Sequence, residues 1–141
     1  MQLRRRATVS MRWRLYTGLL NHLSDALGMS EAGINLVQSY AEIQRDADDA
    51  IPMALFIVEA VTNAMKYAFE EDGGEVAVRL SLVDEKVILE IRDTGLGYDS
   101  ADEDSGLGSK LMVAFARQLS AEFTTEARPG LGCSHKLVMD I

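Results

Sequence analysis

The stretch IVEAVTNAMKYAFEEDGG, Ile57 to Gly74, limits most tightly what this chain can become. Ile57, Val58, Val61, Met65 and Phe69 recur at helical spacing, the pattern of a helix buried along one side. Glu59, Asn63 and Lys66 fall at i, i+4 and i+7. At roughly 100° per residue they occupy an arc of about 60°, beside the apolar stripe and not opposite it. An acid, an amide and a base along the margin of a buried helix suit a pocket wall better than a solvent face. Asn can offer its carbonyl oxygen to a hard cation, Lys a mobile charge to phosphate, and Glu a base that orients a nucleophile.

The rest of the chain can support such a helix. Its 141 residues are 48% apolar, enough for one domain with a real core and too apolar for general disorder. No apolar run approaches the roughly 18 residues of a membrane span, and MQLRRRATVSMRWR lacks the apolar region of a signal peptide. Cys133 is the sole cysteine, so no internal disulfide forms, and a reducing, cytoplasmic setting is expected. A net charge of −8 argues against nucleic-acid binding. Arg4, Arg5, Arg6, Arg12 and Arg14 nevertheless crowd the start, as the end of a longer helix could.

Periodicity predicts a helix over roughly Thr8 to Leu27, stopped at Gly28. GINLVQSY reads as a short strand. A long helix is expected from about Asp49 to Phe69, with acids and Pro52 in its first turn. EVAVRLSL and KVILEIRD alternate as strands joined by the short VDEK, an antiparallel hairpin. A Gly- and Asp-rich loop spans Asp93 to Ser105, and a further helix runs over roughly Ser109 to Ser120. EFTTEA, the turn RPGLG and CSHKLVMD form a second hairpin. The simplest assembly is an α/β two-layer sandwich, one mixed sheet with helices on one face.

Two glycine-rich clusters follow the helix file. In RDTGLGYD, Asp93 closes an apolar strand ahead of Gly95 and Gly97. A carboxylate fixed there can accept a hydrogen from an exocyclic amino group while the glycines admit a flat ring close to the backbone. In SGLGSKL, Gly106 and Gly108 run into a helix start, whose unpaired N–H groups favour an anion.

Acid and amide on a helix, a hairpin, Asp-x-Gly-x-Gly, a short loop, then Gly-x-Gly into a helix is an order few folds share. In EAVTNAMKYAF, DTGLG and GLGSKL the sequence resembles the ATP-binding domain of the histidine kinase, gyrase, Hsp90 and MutL superfamily. The likeness covers roughly Asp49 to Asp140 and implies a Bergerat-type fold. DDAIPMALFIVEAVTNAMKYAF and GLGSKLMVAFARQLSAEF are similar to the long and closing helices of HWE-type sensor histidine kinases, and RWRLYTG to the end of their linker. By this resemblance residues 1–28 are the remnant or linker of a dimerisation domain, and 29–141 the ATP-binding domain.

The resemblance implies ATP and Mg²⁺ as cofactors. Asp93 would accept the adenine N6 hydrogen, with Gly95 and Gly97 admitting base and sugar. Asn63 would ligate Mg²⁺, Glu59 would help activate the acceptor, and Lys66 with Tyr67 would face phosphate or ribose. Gly106, Leu107 and Gly108 would form the phosphate loop, and Ser134 would stand near adenine. The implied partners are a histidine-bearing dimerisation domain and a response regulator, with no nucleic acid, no membrane insertion and a monomeric isolated domain. Neither His22 nor His135 lies in a helical His box. An anti-sigma-factor serine kinase of the same superfamily is the alternative, set back because the chain opens on a helix where those proteins begin with a strand. A non-catalytic relic or scaffold would carry damaged boxes, and here all are present.

Overall fold

The computed structural model describes residues 8–10, 13–67, 73–95 and 107–140. Chain order is β1 (Thr8–Ser10), α1 (Trp13–Leu27), β2 (Ile34–Tyr40), β3 (Gln44–Asp46), a 3-10 turn (Ala47–Asp49), α2 (Ala50–Tyr67), β4 (Gly74–Val83), β5 (Lys86–Asp93), α3 (Leu107–Gln118), β6 (Glu122–Arg128) and β7 (Gly132–Asp140). Five strands make one sheet in the order β2-β4-β5-β7-β6. β2 runs parallel to β4 and the remaining neighbours are antiparallel, so the sheet is mixed.

Period-two alternation selects the sheet face that is covered. Val76, Val78 and Leu80 of β4, Val87, Leu89 and Ile91 of β5, and Leu137 and Met139 of β7 are buried. They join Met53, Phe56, Ile57, Ala60 and Val61 of α2 and Met112 and Ala116 of α3 in one core. The opposite face carries the cross-strand row Arg79, Glu90 and Lys136, a polar ladder suited to water. This is the two-layer α/β sandwich with helices on one face. Phe56 meets Phe123 edge-on at 5.4 Å between ring centroids, tying α2 to β6.

The β4–β5 hairpin turns on Asp84 and Glu85, both at positive φ (49° and 62°), as a two-residue loop matching the strand twist requires. β4 outruns its neighbour β2, whose pairing ends opposite Leu80, and Leu82, on the apolar side of the alternation, is 47% exposed. At the head of α2, the Asp46 side chain accepts from the Asp48 N–H at 3.0 Å, and Pro52 occupies the first turn.

One expectation about the first segment changes. Residues Thr8–Ser10 form a strand, not the start of a helix, and pair antiparallel with Gln44–Asp46, another strand that periodicity does not show. Three residues are too few for a period, and the partner lies more than thirty positions away. Tyr16 and Leu20 of α1 belong to the same buried cluster as α2 and the sheet, and the Tyr16 hydroxyl donates to the Ala50 carbonyl at 3.0 Å. Burial, with Asp49 nearby, raises the Tyr16 pKa to about 12, so it donates as a neutral phenol. Phe69 lies outside the described residues.

Candidate functional site

Asp93 is the best-defined polar group in the core. It ends β5 on the helix-covered face, only 6% exposed, between Val76 of β4 and Cys133 of β7. Its Oδ1 accepts the Gly95 N–H at 2.9 Å and the Cys133 N–H at 3.2 Å. Both bonds fall on one oxygen, and Oδ2 takes neither. Burial raises the carboxyl pKa above the ordinary carboxylate range, and the two N–H donors pull it back without cancelling the rise. Such a carboxylate is oriented by backbone and keeps one oxygen for a further donor.

The backbone around Asp93 is equally constrained. Thr94 N–H donates to the Glu75 carbonyl at 3.0 Å, and the Glu75 N–H donates to Thr94 Oγ1 at 2.9 Å. These bonds extend the β4–β5 ladder one step past Asp93 and fix the departure of the chain towards Gly95. Gly132 approaches from β7 with φ +83°, and a Cβ there would stand 2.1 Å from the Asp93 carbonyl oxygen. Only glycine permits that crossing.

On α2, Glu59 and Asn63 are half-buried and Lys66 is exposed, while Ala60, Val61 and Ala64 between them are buried. The file therefore runs along the margin of the packed side, as its spacing predicts. α2 lies against β4, β5 and α3. The helix α3 starts at Leu107, two residues earlier than expected, which brings Leu107 and Gly108 into its first turn, where N–H groups have no partner within the helix. Tyr67 is the last residue of α2. Gly97 and Gly106 lie outside the described residues.

Ser134 is not brought to Asp93. One residue past Cys133, it projects from the opposite sheet face and donates to Glu90 Oε2 at 3.2 Å. Cys133 is the β7 residue paired with Asp93 on that face. His135 shares that face, with Nδ1 2.9 Å from Thr125 Oγ1, Nε2 3.7 Å from Cys133 Sγ and its ring 6.1 Å from Phe123. Burial pushes its pKa down to about 4, so it is a neutral packing residue. His22 is exposed on α1. Thr94, Gly132 and the Cys133 amide are the site groups that sequence reading missed. The second glycine of RPGLG was a visible signal, but a turn explained it equally well.

Comparison with known proteins defines the class. The profile of the histidine kinase-like ATPase domain matches residues 24–138, and the chain belongs to that family. It is similar to the anti-sigma F factor of Bacillus subtilis (strain 168), 28% identical over an alignment of 117 residues, with 72% of this chain and 80% of that protein covered. A shorter likeness joins it to the serine-protein kinase RsbW of Bacillus cereus (strain AH187), 33% over 61 residues, 43% of this chain and 38% of that one. Among solved structures, the histidine kinase domain of the blue-light activated histidine kinase EL346 of Erythrobacter litoralis superposes with a TM-score of 0.74 at 20% identity. That match covers 88% of this chain, which spans 64% of that domain, and it establishes the shared fold. No helix among the described residues is long and apolar enough to cross a membrane.

Proposed function

We propose that this chain is the ATP-binding catalytic domain of a sensor histidine kinase, passing the ATP γ-phosphoryl group to a histidine on a helical dimerisation domain for relay to a response regulator in the cytoplasm. The observation that carries the nucleotide reading is Asp93: a buried carboxylate held through Oδ1 by two backbone donors, with Oδ2 left for an exocyclic amino hydrogen. An adenine fits that chemistry, and Gly95 adds no side chain to the approach. Gly97 serves the same approach in this reading.

The donor set also fits a cation held jointly with phosphate. Among the described residues no three His, Cys, Asp or Glu side chains converge as a metal cage. A lone amide oxygen on a half-buried Asn63 is the kind of ligand Mg²⁺ accepts alongside phosphate oxygens and water. When bound, Mg²⁺ would neutralise phosphate charge. Lys66 and Tyr67 would face phosphate or ribose, and Gly106, Leu107 and Gly108 would present backbone N–H groups to the phosphates. Glu59, exposed enough to meet a partner, would orient and take the proton of the acceptor. Phosphoryl transfer depends mainly on position and charge, so no nucleophile within this domain is needed.

The histidine as acceptor is favoured by the likeness of DDAIPMALFIVEAVTNAMKYAF and GLGSKLMVAFARQLSAEF to sensor-kinase helices. A second reading, a serine kinase acting as an anti-sigma factor, draws support from the sequence relatives and from β1. A strand does precede α1, which removes the objection that the chain opens on a helix. Incubation with a histidine-bearing dimerisation domain, radiolabelled ATP and Mg²⁺ separates the two. Acid-labile, base-stable label is expected; acid-stable label on a serine substrate would overturn the histidine assignment.

A further inference from the structure

We infer that Gly132 is a positioning residue of the nucleotide site, setting which oxygen of Asp93 faces the base. The inference rests on the reading of Asp93 as the acceptor of the base amino hydrogen, and deepens it. The β6–β7 turn supplies an internal comparison. Gly130 and Gly132 both adopt the left-handed backbone, at φ +77° and +83°. A Cβ on Gly130 meets nothing within 4 Å, whereas one on Gly132 would stand 2.1 Å from the Asp93 carbonyl oxygen, 3.1 Å from its carbonyl carbon and 3.3 Å from Thr94 Cα. The positive φ favours glycine at both positions, and Gly132 alone carries a steric demand besides.

What Gly132 adds is proximity. By letting β7 cross against the Asp93 main chain, it delivers the next amide, that of Cys133, to Asp93 Oδ1 at 3.2 Å. The Gly95 amide reaches the same oxygen at 2.9 Å. With Oδ1 occupied twice, the carboxylate plane is fixed and Oδ2 becomes the ligand acceptor. A side chain at 132 forces β7 and the Asp93 backbone apart, since the colliding atom is main chain and cannot swing aside. The Cys133 bond is then lost, and the carboxylate can rotate.

The test compares Gly130→Ala with Gly132→Ala for binding of ATP and of inosine triphosphate, which lacks the exocyclic amino group, by calorimetry below the melting point of each variant. Both variants are expected to melt lower than the unaltered protein, because both place a side chain at positive φ. Only Gly132→Ala is expected to weaken ATP, by about tenfold or more, and to shrink the preference for ATP over inosine triphosphate towards unity. A folded Gly132→Ala protein that keeps the full preference would overturn the inference, as would an equal loss in Gly130→Ala. Failure of the unaltered protein to prefer ATP would instead remove the reading of Asp93 itself.

Should Gly132→Ala not fold, amide NMR of the unaltered chain decides. The Cys133 amide proton is expected to shift with Asp93 ionisation and again on addition of ADP. A Cys133 amide indifferent to both contradicts the inference.

Discussion

Asp93, 6% exposed and anchored by two backbone amides, stands at the end of a strand that neighbours hold on both sides. Glu59 and Asn63 are half-buried along the margin of α2, and Lys66 is exposed. The first region is finished before any ligand arrives, because its donors are main-chain groups with little freedom left to lose. The second offers side chains of three chemistries on a rigid helix but leaves their final geometry to the phosphates and cation they would hold. In this account, affinity and base choice belong to the sheet end, and turnover to the helix margin.

Substitutions that separate those two duties should separate two readouts. The largest effect is expected for Asn63→Ala: phosphoryl transfer falls by roughly 100- to 1000-fold, while adenosine binding stays near that of the unaltered protein. Equal loss of adenosine binding would break the division of labour. The sheet end should also carry a pH limb of its own. Because the Asp93 pKa is raised and the base requires the ionised carboxylate, ATP affinity is expected to fall as pH drops through that raised pKa. The fall approaches tenfold per pH unit and begins above the ordinary carboxylate range. Calorimetric titrations across that range measure it.

His135 sharpens the contrast through stability. Its folded pKa is depressed to about 4 from 6.5, so the unfolded chain takes up the proton first as pH falls. Stability contributed by the neutral ring is present above pH 6.5 and is lost as pH falls from 6.5 towards 4, by roughly 3 kcal/mol at most. Denaturant unfolding of His135→Gln should show that slope flattened. The smallest effect is expected for Lys66→Met. An exposed ammonium screened by water should change ATP affinity only by about threefold, mainly by lowering its salt dependence.

Much of this architecture was legible because it is local. The α2 stripe, the β4–β5 hairpin and the alternation in β5 and β7 each repeat within a few residues, and periodicity reads them directly. The file of Glu59, Asn63 and Lys66 and the position of Asp93 at a strand end follow from the same patterns. What escaped depends on contacts distant in sequence. β1 is a strand because β3 lies beside it, and Gly132 is glycine because Asp93 passes 2.1 Å from where its Cβ would be. Ser134 shows how little separates right from wrong on a strand. One step along β7 reverses the face, and the residue beside Asp93 is Cys133.

The central claim is that Asp93 reads the base. Isothermal titration of ATP with Mg²⁺ into the unaltered protein and into Asp93→Asn tests it most directly. The account predicts one ATP bound per chain by the unaltered protein and no measurable heat of binding for a folded Asp93→Asn. An Asp93→Asn protein that binds ATP with unchanged affinity would contradict it.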